Sequence, residues 1–295
     1  MKLPDFVLRF RLGRHIAARL LGTDQDDRLA LMLKDDRARD LSVNNAFFFH
    51  IPKTAGTSFN GFIGTRFAVH NVYIGAPPEE VKPSPDEFGV YYAAHTNWDI
   101  FSQLPPIDFT PIVFLREPRA RLRSAYFFTR ASEGNADSFR PYARACKRYD
   151  FKDWMKFCVD AKGNDEGDEN NSDNQYLRCL AGRELVKNFP KLDEVEQANL
   201  LDVALQNLET FSACGLVEQY DASVKLICRV LDIKLPRPHE LVRSNVNAKK
   251  PEEEVYDDEM EALLHQLTCF DSKIYERGQV LFREQCKAHL IPIEE

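Results

Sequence analysis

Residues 44–60 read NNAFFFHIPKTAGTSFN, and their order decides the fold. Asn44 to His50 reads as one short buried strand, because three phenylalanines run together and Asn44–Asn45 marks the entry. Ile51–Pro52 breaks that strand. Lys53, Thr54, Ala55, Gly56, Thr57 and Ser58 follow, with no bulky side chain after the lysine. A tight turn of small residues lets backbone N–H groups close around an anion such as phosphate. Thr57 or Ser58 can cap the next helix and offer a hydroxyl to the same anion, while Lys53 adds a mobile point charge. Phe59, Phe62, Ile63 and Phe67 recur at helical spacing and predict a helix over 57–67. The unit is therefore strand, anion loop, helix. It departs from the Walker order G-x-x-x-x-G-K-[ST], because the lysine enters the loop first and the glycine follows.

Two further strands lead to polar residues. Residues 89–95, GVYYAAH, read as a strand ending at His95. In α/β sheets ligands gather outside the carboxyl ends of strands, so His95 falls where a catalytic base belongs. The plainer alternative is a histidine hydrogen-bonded at a strand end. His50, His70, His239, His265 and His289 are weaker candidates for that role. Residues 105–111 (PPIDFTP) read as a rigid turn, and residues 112–115 (IVFL) as a short buried strand. Arg116–Glu117–Pro118 leaves it, and Pro118 suits the start of a helix continuing through 119–130, RARLRSAYFFTR.

At these segments a resemblance emerges. HIPKTAGTS resembles the 5′-phosphosulfate loop of sulfotransferases that use 3′-phosphoadenosine-5′-phosphosulfate (PAPS), most of all the carbohydrate branch containing heparan and chondroitin sulfotransferases. Residues 115–126 are similar to that family's second signature, L-R-[DE]-P-x-x-R-x-x-S-x-Y, with every specified position present. Residues 174–182 (NQYLRCLAG) and the G-L-x-E-x-[YF]-D pattern from Gly215 to Asp221 look like further stretches of it. The resemblance implies a three-layer P-loop-like α/β fold with a central, mainly parallel sheet flanked by helices. It implies PAPS as co-substrate, no metal, and a hydroxyl-bearing acceptor such as a carbohydrate. Carried over residue by residue, Lys53, Thr54, Ala55, Gly56, Thr57 and Ser58 would hold the 5′-phosphate. Lys53 would also neutralise the departing bridging oxygen. Arg116 and Ser124 would grip the 3′-phosphate, and His95 would deprotonate the acceptor. Ala94 precedes His95 where the family commonly has glycine, so that match is partial. Arg121 fits the signature too and reads as a structural ion-pair partner. Asn174, Gln175 and Arg178 would lie near the acceptor side of the cleft. A late loop over 233–252 would close on the nucleotide with Arg243, Asn247, Lys249 and Lys250; a solvated basic loop is the rival reading.

Composition bounds the rest. The chain has 295 residues, 44% hydrophobic and 29% charged, an ordinary globular balance. A net charge of −7 argues against general nucleic-acid binding while permitting one basic pocket. The seven cysteines are odd in number and irregularly spaced with no C-x-x-C, which argues against structural zinc and a disulfide framework and leaves open a single bridge. No run of about 18 apolar residues predicts a membrane span. Residues 1–40 form a basic, then charged segment, and 41–295 read as a single domain. Within residues 1–21, Phe6, Phe10, Ile16, Leu20 and Leu21 alternate with basic residues. Peripheral contact with an anionic membrane is one reading, and a helix packed on the domain is the favoured one. Many eukaryotic members of the resembling family carry an N-terminal Golgi anchor; this chain departs from them there, and the expected location is cytoplasmic. The alternatives to sulfuryl transfer are a P-loop kinase-like phosphotransferase and a non-catalytic nucleotide-binding protein. The sequence places the last two helices at about 254–267 and 271–288, after an acidic loop over 163–174 and helices over 151–159, 192–208 and 219–231.

Overall fold

The computed structural model describes residues 41–83, 87–131, 141–160, 173–182, 192–237, 240–241 and 256–293. The basic segment 1–40, most of the acidic run 163–174, and Arg243, Asn247, Lys249 and Lys250 lie outside the described residues.

Among the described residues, five strands form the sheet: β1 (Asn45–Phe49), β2 (Val72–Ile74), β3 (Tyr91–Ala94), β4 (Phe109–Leu115) and β5 (Ala213–Leu216). Their order is β2-β3-β1-β4-β5, and every neighbouring pair is parallel. Helices α1 (Gly56–Ile63), α2 (Pro118–Ala131), α3 (Pro141–Arg148), α4 (Phe151–Asp160), α5 (Gln175–Ala181), α6 (Glu194–Glu209), α7 (Tyr220–Val230) and α8 (Asp258–Ala288) flank it. This is the expected α/β architecture with a central parallel sheet. A parallel sheet is covered on both faces, so its strands read as unbroken apolar runs. Phe47, Phe48 and Phe49 in β1 and Ile112 to Leu115 in β4 are wholly buried for that reason.

Three element boundaries differ from the sequence reading. First, β4 starts at Phe109, so Pro111 lies inside the strand opposite Phe47. Proline lacks only the donor. Pairing with β5 begins one residue later, at Ile112, and the Pro111 carbonyl still accepts from the Ser212 amide at 3.0 Å. Second, residues 141–148, to which the sequence reading assigns no helix, form the basic helix α3.

Third, the two expected terminal helices are one 31-residue helix, α8. Buried Thr268 and Asp271 interrupt the apolar stripe and suggest a break, yet neither glycine nor proline stands there. Thr268 Oγ1 donates to the Leu264 carbonyl at 2.7 Å and Ser272 Oγ to that of Thr268 at 2.9 Å, so the hydroxyls are satisfied within the helix. α8 spans two apolar clusters. Met260, Leu264 and Leu267 pack with Leu122, Tyr126 and Trp154, whereas Ile274, Tyr275, Leu281 and Phe282 pack into the core around the sheet. Among the described residues no helix is long and apolar enough to cross a membrane.

Asp271 joins α8 to the site. Its Oδ1 accepts from the amides of Tyr176 and Leu177 at 2.8 and 3.2 Å, and its Oδ2 lies 4.0 Å from Arg121 Nη2, both side chains wholly buried. Arg121 therefore has the ion-pair role expected of it. Burial pushes the Asp271 carboxyl up to about 7 against the pull of Arg121.

Candidate active site

Three adjacent strands deliver the polar residues to one edge. In register, Phe49 of β1 lies beside Ala94 of β3 and Val113 of β4. The next residues out are His50 and His95, while β4 continues through Phe114 and Leu115 and is followed directly by Arg116, Glu117 and Pro118. The His50 amide donates to the Ala94 carbonyl at 3.0 Å, which ties the first two exits together. Chain order runs from β1 out to β2, back to β3 and then across to β4 on the other side of β1. The carboxyl end of β1 is thus the topological switch point, where α/β sheets hold ligands.

The loop after β1 has an alternating backbone. Lys53 and Ala55 adopt φ of 72° and 63°, and Thr54 between them does not take a positive φ. Alternation of this kind turns successive N–H groups toward one side and makes a concavity for an anion. A side chain at positive φ costs of order 1–3 kcal/mol unless its surroundings hold it there. Thr54 does much of the holding: it is wholly buried, and its Oγ1 donates to the Ile51 carbonyl at 2.8 Å. α1 starts earlier than expected. Ala55 is its N-cap and makes no side-chain cap, so Thr57 and Ser58 lie inside the first turn rather than at the cap. α1 begins directly after this turn, and helix starts offer unpaired N–H groups to anions. Thr57 is exposed and Ser58 buried.

Gly56 is glycine for a reason of packing, not of φ. A Cβ there would run into the His50 imidazole. His50 in turn stacks on Phe48, with ring centroids 5.0 Å apart and planes at 16°, and lies 4.1 Å from the exposed His95 ring. Burial, then His95, then Lys53 hold the His50 pKa well below its usual range, so it is neutral at pH 7.

Two cations meet at the loop. Arg116 Nη1 approaches the Lys53 carbonyl at 3.5 Å. Burial and then Arg116 pull the Lys53 ammonium down to about 8, and burial also lowers Arg116. The Lys53 ammonium rests 3.5 Å from the centroid of Phe128, a half-exposed ring on α2. Ser124 precedes Phe128 by four residues and so shares its face of the helix. The nearby carboxylates engage backbone groups. Glu117 accepts from the amides of Arg119 and Ala120 at 3.0 and 2.6 Å, and Glu218 accepts from the Glu117 amide and the Tyr275 hydroxyl, both at 2.9 Å.

The structure thus brings Arg116 to the loop of Lys53 to Ser58 and His95 to His50 at its start, while Ser124 lies one helical turn before Phe128, against which Lys53 rests. Asn174, Gln175 and Arg178 are built into the framework. Asn174 is buried and accepts from the Phe270 amide of α8 at 2.9 Å. Arg178 donates to the Asp173 carbonyl and carboxylate at 2.8 and 2.7 Å, and Gln175 to Cys179 Sγ at 3.1 Å. Sequence reasoning passed over Phe128 and the His50–Gly56 contact. The i, i+4 spacing of Ser124 and Phe128 was a usable signal for the first; only the coordinates carry the second. All seven cysteines remain thiols, and no group of three or more metal-ligating side chains occurs among the described residues.

No family model and no curated protein sequence matches the chain. Among solved structures it is similar to mouse sulfotransferase SULT7A1 complexed with PAP, with 13% identity and a TM-score of 0.30 over 89% of this chain and 93% of that one. At that TM-score the likeness places no residue and assigns no activity.

The contact beneath the loop is open to test. Gly56→Ala should destabilise the protein by about 1–3 kcal/mol through overpacking against His50. His50→Ala in the same chain should return most of that loss, giving a large coupling energy in a double-mutant cycle. Urea denaturation of the four proteins measures it; purely additive losses would mean the two residues do not press on one another.

Proposed function

We propose that the chain is a sulfotransferase that moves a sulfuryl group from PAPS to a hydroxyl of a carbohydrate or glycoconjugate acceptor. One observation carries this reading. Two partly desolvated cations, Lys53 and Arg116, adjoin a backbone concavity and a helix start at the switch point, with His95 leaving the neighbouring strand. That arrangement suits a nucleotide bearing phosphate at two positions. The sequence signatures at 50–58 and 115–126 point the same way.

In this reading the amides of Lys53 to Ser58 and the Thr57 and Ser58 hydroxyls hold the 5′-phosphate. Arg116 makes a charge-assisted contact to the 3′-phosphate, with Ser124 adding a hydrogen bond. The acceptor oxygen attacks sulfur in line. An O–S bond forms, the bond from sulfur to the bridging oxygen breaks, and 3′,5′-diphosphoadenosine leaves. The acceptor proton passes to His95, which must be neutral to receive it. Negative charge grows on the bridging oxygen, and Lys53 neutralises it there. Thr54 serves from behind, since its hydroxyl is committed to the Ile51 carbonyl. Lys249 and Lys250 would add positive charge from the late loop, and residues 41–295 would form the single catalytic domain. A kinase-like reading asks for a carboxylate at a strand end to hold magnesium. Glu117 and Glu218, which leave β4 and β5, are engaged with backbone amides.

Nucleotide binding should show both the phosphate pattern and the lysine. At about 100 times its dissociation constant, 3′,5′-diphosphoadenosine should add roughly 2.7 kcal/mol of stability, and ATP, which has no 3′-phosphate, much less. The binding form of Lys53 is the ammonium, whose pKa lies at about 8. Affinity should therefore hold below that pH and fall as pH rises through it, and Lys53→Met should flatten the profile. Thermal shifts measured from pH 6 to 10 check both points. Equal shifts from the two nucleotides would sink the assignment.

Binding and chemistry should separate by residue. His95→Ala should lose turnover by about 10²–10⁴ while keeping its affinity for 3′,5′-diphosphoadenosine. Arg116→Ala should lose that affinity. Transfer of ³⁵S from labelled PAPS across a panel of hydroxyl acceptors, alongside calorimetric binding, distinguishes them. A folded His95→Ala with near-unchanged turnover would remove His95 as the base.

A further inference from the structure

Arg116 is held in place by a residue 60 positions away in the chain. The hydroxyl of Tyr176, on α5, donates to the Arg116 carbonyl at 2.6 Å and accepts from the Arg116 amide at 2.8 Å. One phenol thus satisfies both backbone groups of the residue that turns the chain from β4 toward α2. The ring is wholly buried, and burial holds its pKa well above the usual tyrosine range, so the hydroxyl keeps the proton it donates.

The clamp is itself anchored. The Tyr176 and Leu177 amides donate to Asp271 of α8, and Asp271 faces Arg121 of α2. The Arg121 guanidinium lies 5.6 Å from the centroid of the Tyr176 ring. A closed circuit therefore runs from α8 through α5 to Arg116 and back along α2 to α8. A tyrosine used for packing alone would have no need of both Arg116 contacts, and an arginine at a solvated strand end would leave its amide to water.

We propose that Tyr176 is the positioning residue for Arg116: it fixes the backbone from which the guanidinium reaches its anion and so sets selectivity for a nucleotide with a second phosphate. The inference rests on the sulfotransferase reading for the identity of that nucleotide. It goes beyond that reading in placing the source of selectivity on α5, away from the ligand.

The test compares affinities for 3′,5′-diphosphoadenosine and adenosine 5′-phosphate by calorimetry in the full chain. The unsubstituted protein should prefer the diphosphate. Tyr176→Phe keeps the ring and removes both hydroxyl contacts, and should cut that preference about tenfold, the scale of one lost net hydrogen bond. Affinity for adenosine 5′-phosphate should stay nearly unchanged, which a general loosening of the fold would not leave intact. In an Arg116→Ala background the same change should cost little further preference. A second measurement needs no variant: the Arg116 amide in the unsubstituted protein should exchange its hydrogen slowly, as a buried bonded amide does. If Tyr176→Phe retains the full preference, or the Arg116 amide exchanges like an exposed loop amide, the clamp is not there. If the unsubstituted protein shows no preference between the two nucleotides, the sulfotransferase reading itself fails.

Discussion

The backbone at Lys53–Thr54–Ala55 is the constraint on which the rest of the site depends. Two residues with side chains sit at positive φ in succession around Thr54. Such a turn persists only where its neighbours over-determine it. Here they are the buried Thr54–Ile51 hydrogen bond below, β1 wedged between β3 and β4 on either side, and the His50 imidazole filling the space that a larger residue at 56 would need. The strain is stored in the turn that joins β1 to α1.

Electrostatics follow from that geometry. Burial lowers the proton affinity of both Lys53 and Arg116, and Arg116 lies close enough to lower that of Lys53 further. Two partly desolvated cations side by side are unfavourable in isolation and favourable once an anion arrives. Glu218 and Glu117 offset part of that burial at Arg116, while Glu117 also accepts from the first amides of α2 and Glu218 is shared between the Glu117 amide and Tyr275. The same loop-and-strand edge holds a neutral, half-buried His50 against the exposed His95.

Much of this was legible in the chain. Apolar runs bounded by breakers marked β1, β3 and β4, and small residues after Lys53 marked the tight turn into α1. The continuity of α8 was not, because Thr268 and Asp271 look like a boundary until their partners on α5 and within the helix are seen. Pro111 misled for a similar reason: its missing donor matters little where β5 has not yet begun to pair. Positive φ at Lys53 and Ala55 is hidden because neither is glycine, and the glycine that is present answers to His50 rather than to the backbone. Tyr176 stands 60 residues from Arg116 in the chain, and no local pattern announces a contact of that range. Asn174, Gln175 and Arg178 matched a motif by type, yet their side chains serve the packing of α5 against its surroundings.

The central claim is that the loop after β1 and Arg116 after β4 form one site for a nucleotide with phosphates at both ends of its ribose. A crystal structure of the protein with 3′,5′-diphosphoadenosine measures this most directly. The account predicts the 5′-phosphate within hydrogen-bond distance of the amides of residues 53–58, and the 3′-phosphate on the Arg116 guanidinium and the Ser124 hydroxyl. A nucleotide bound elsewhere on the fold, or with its 3′-phosphate away from Arg116, would contradict it.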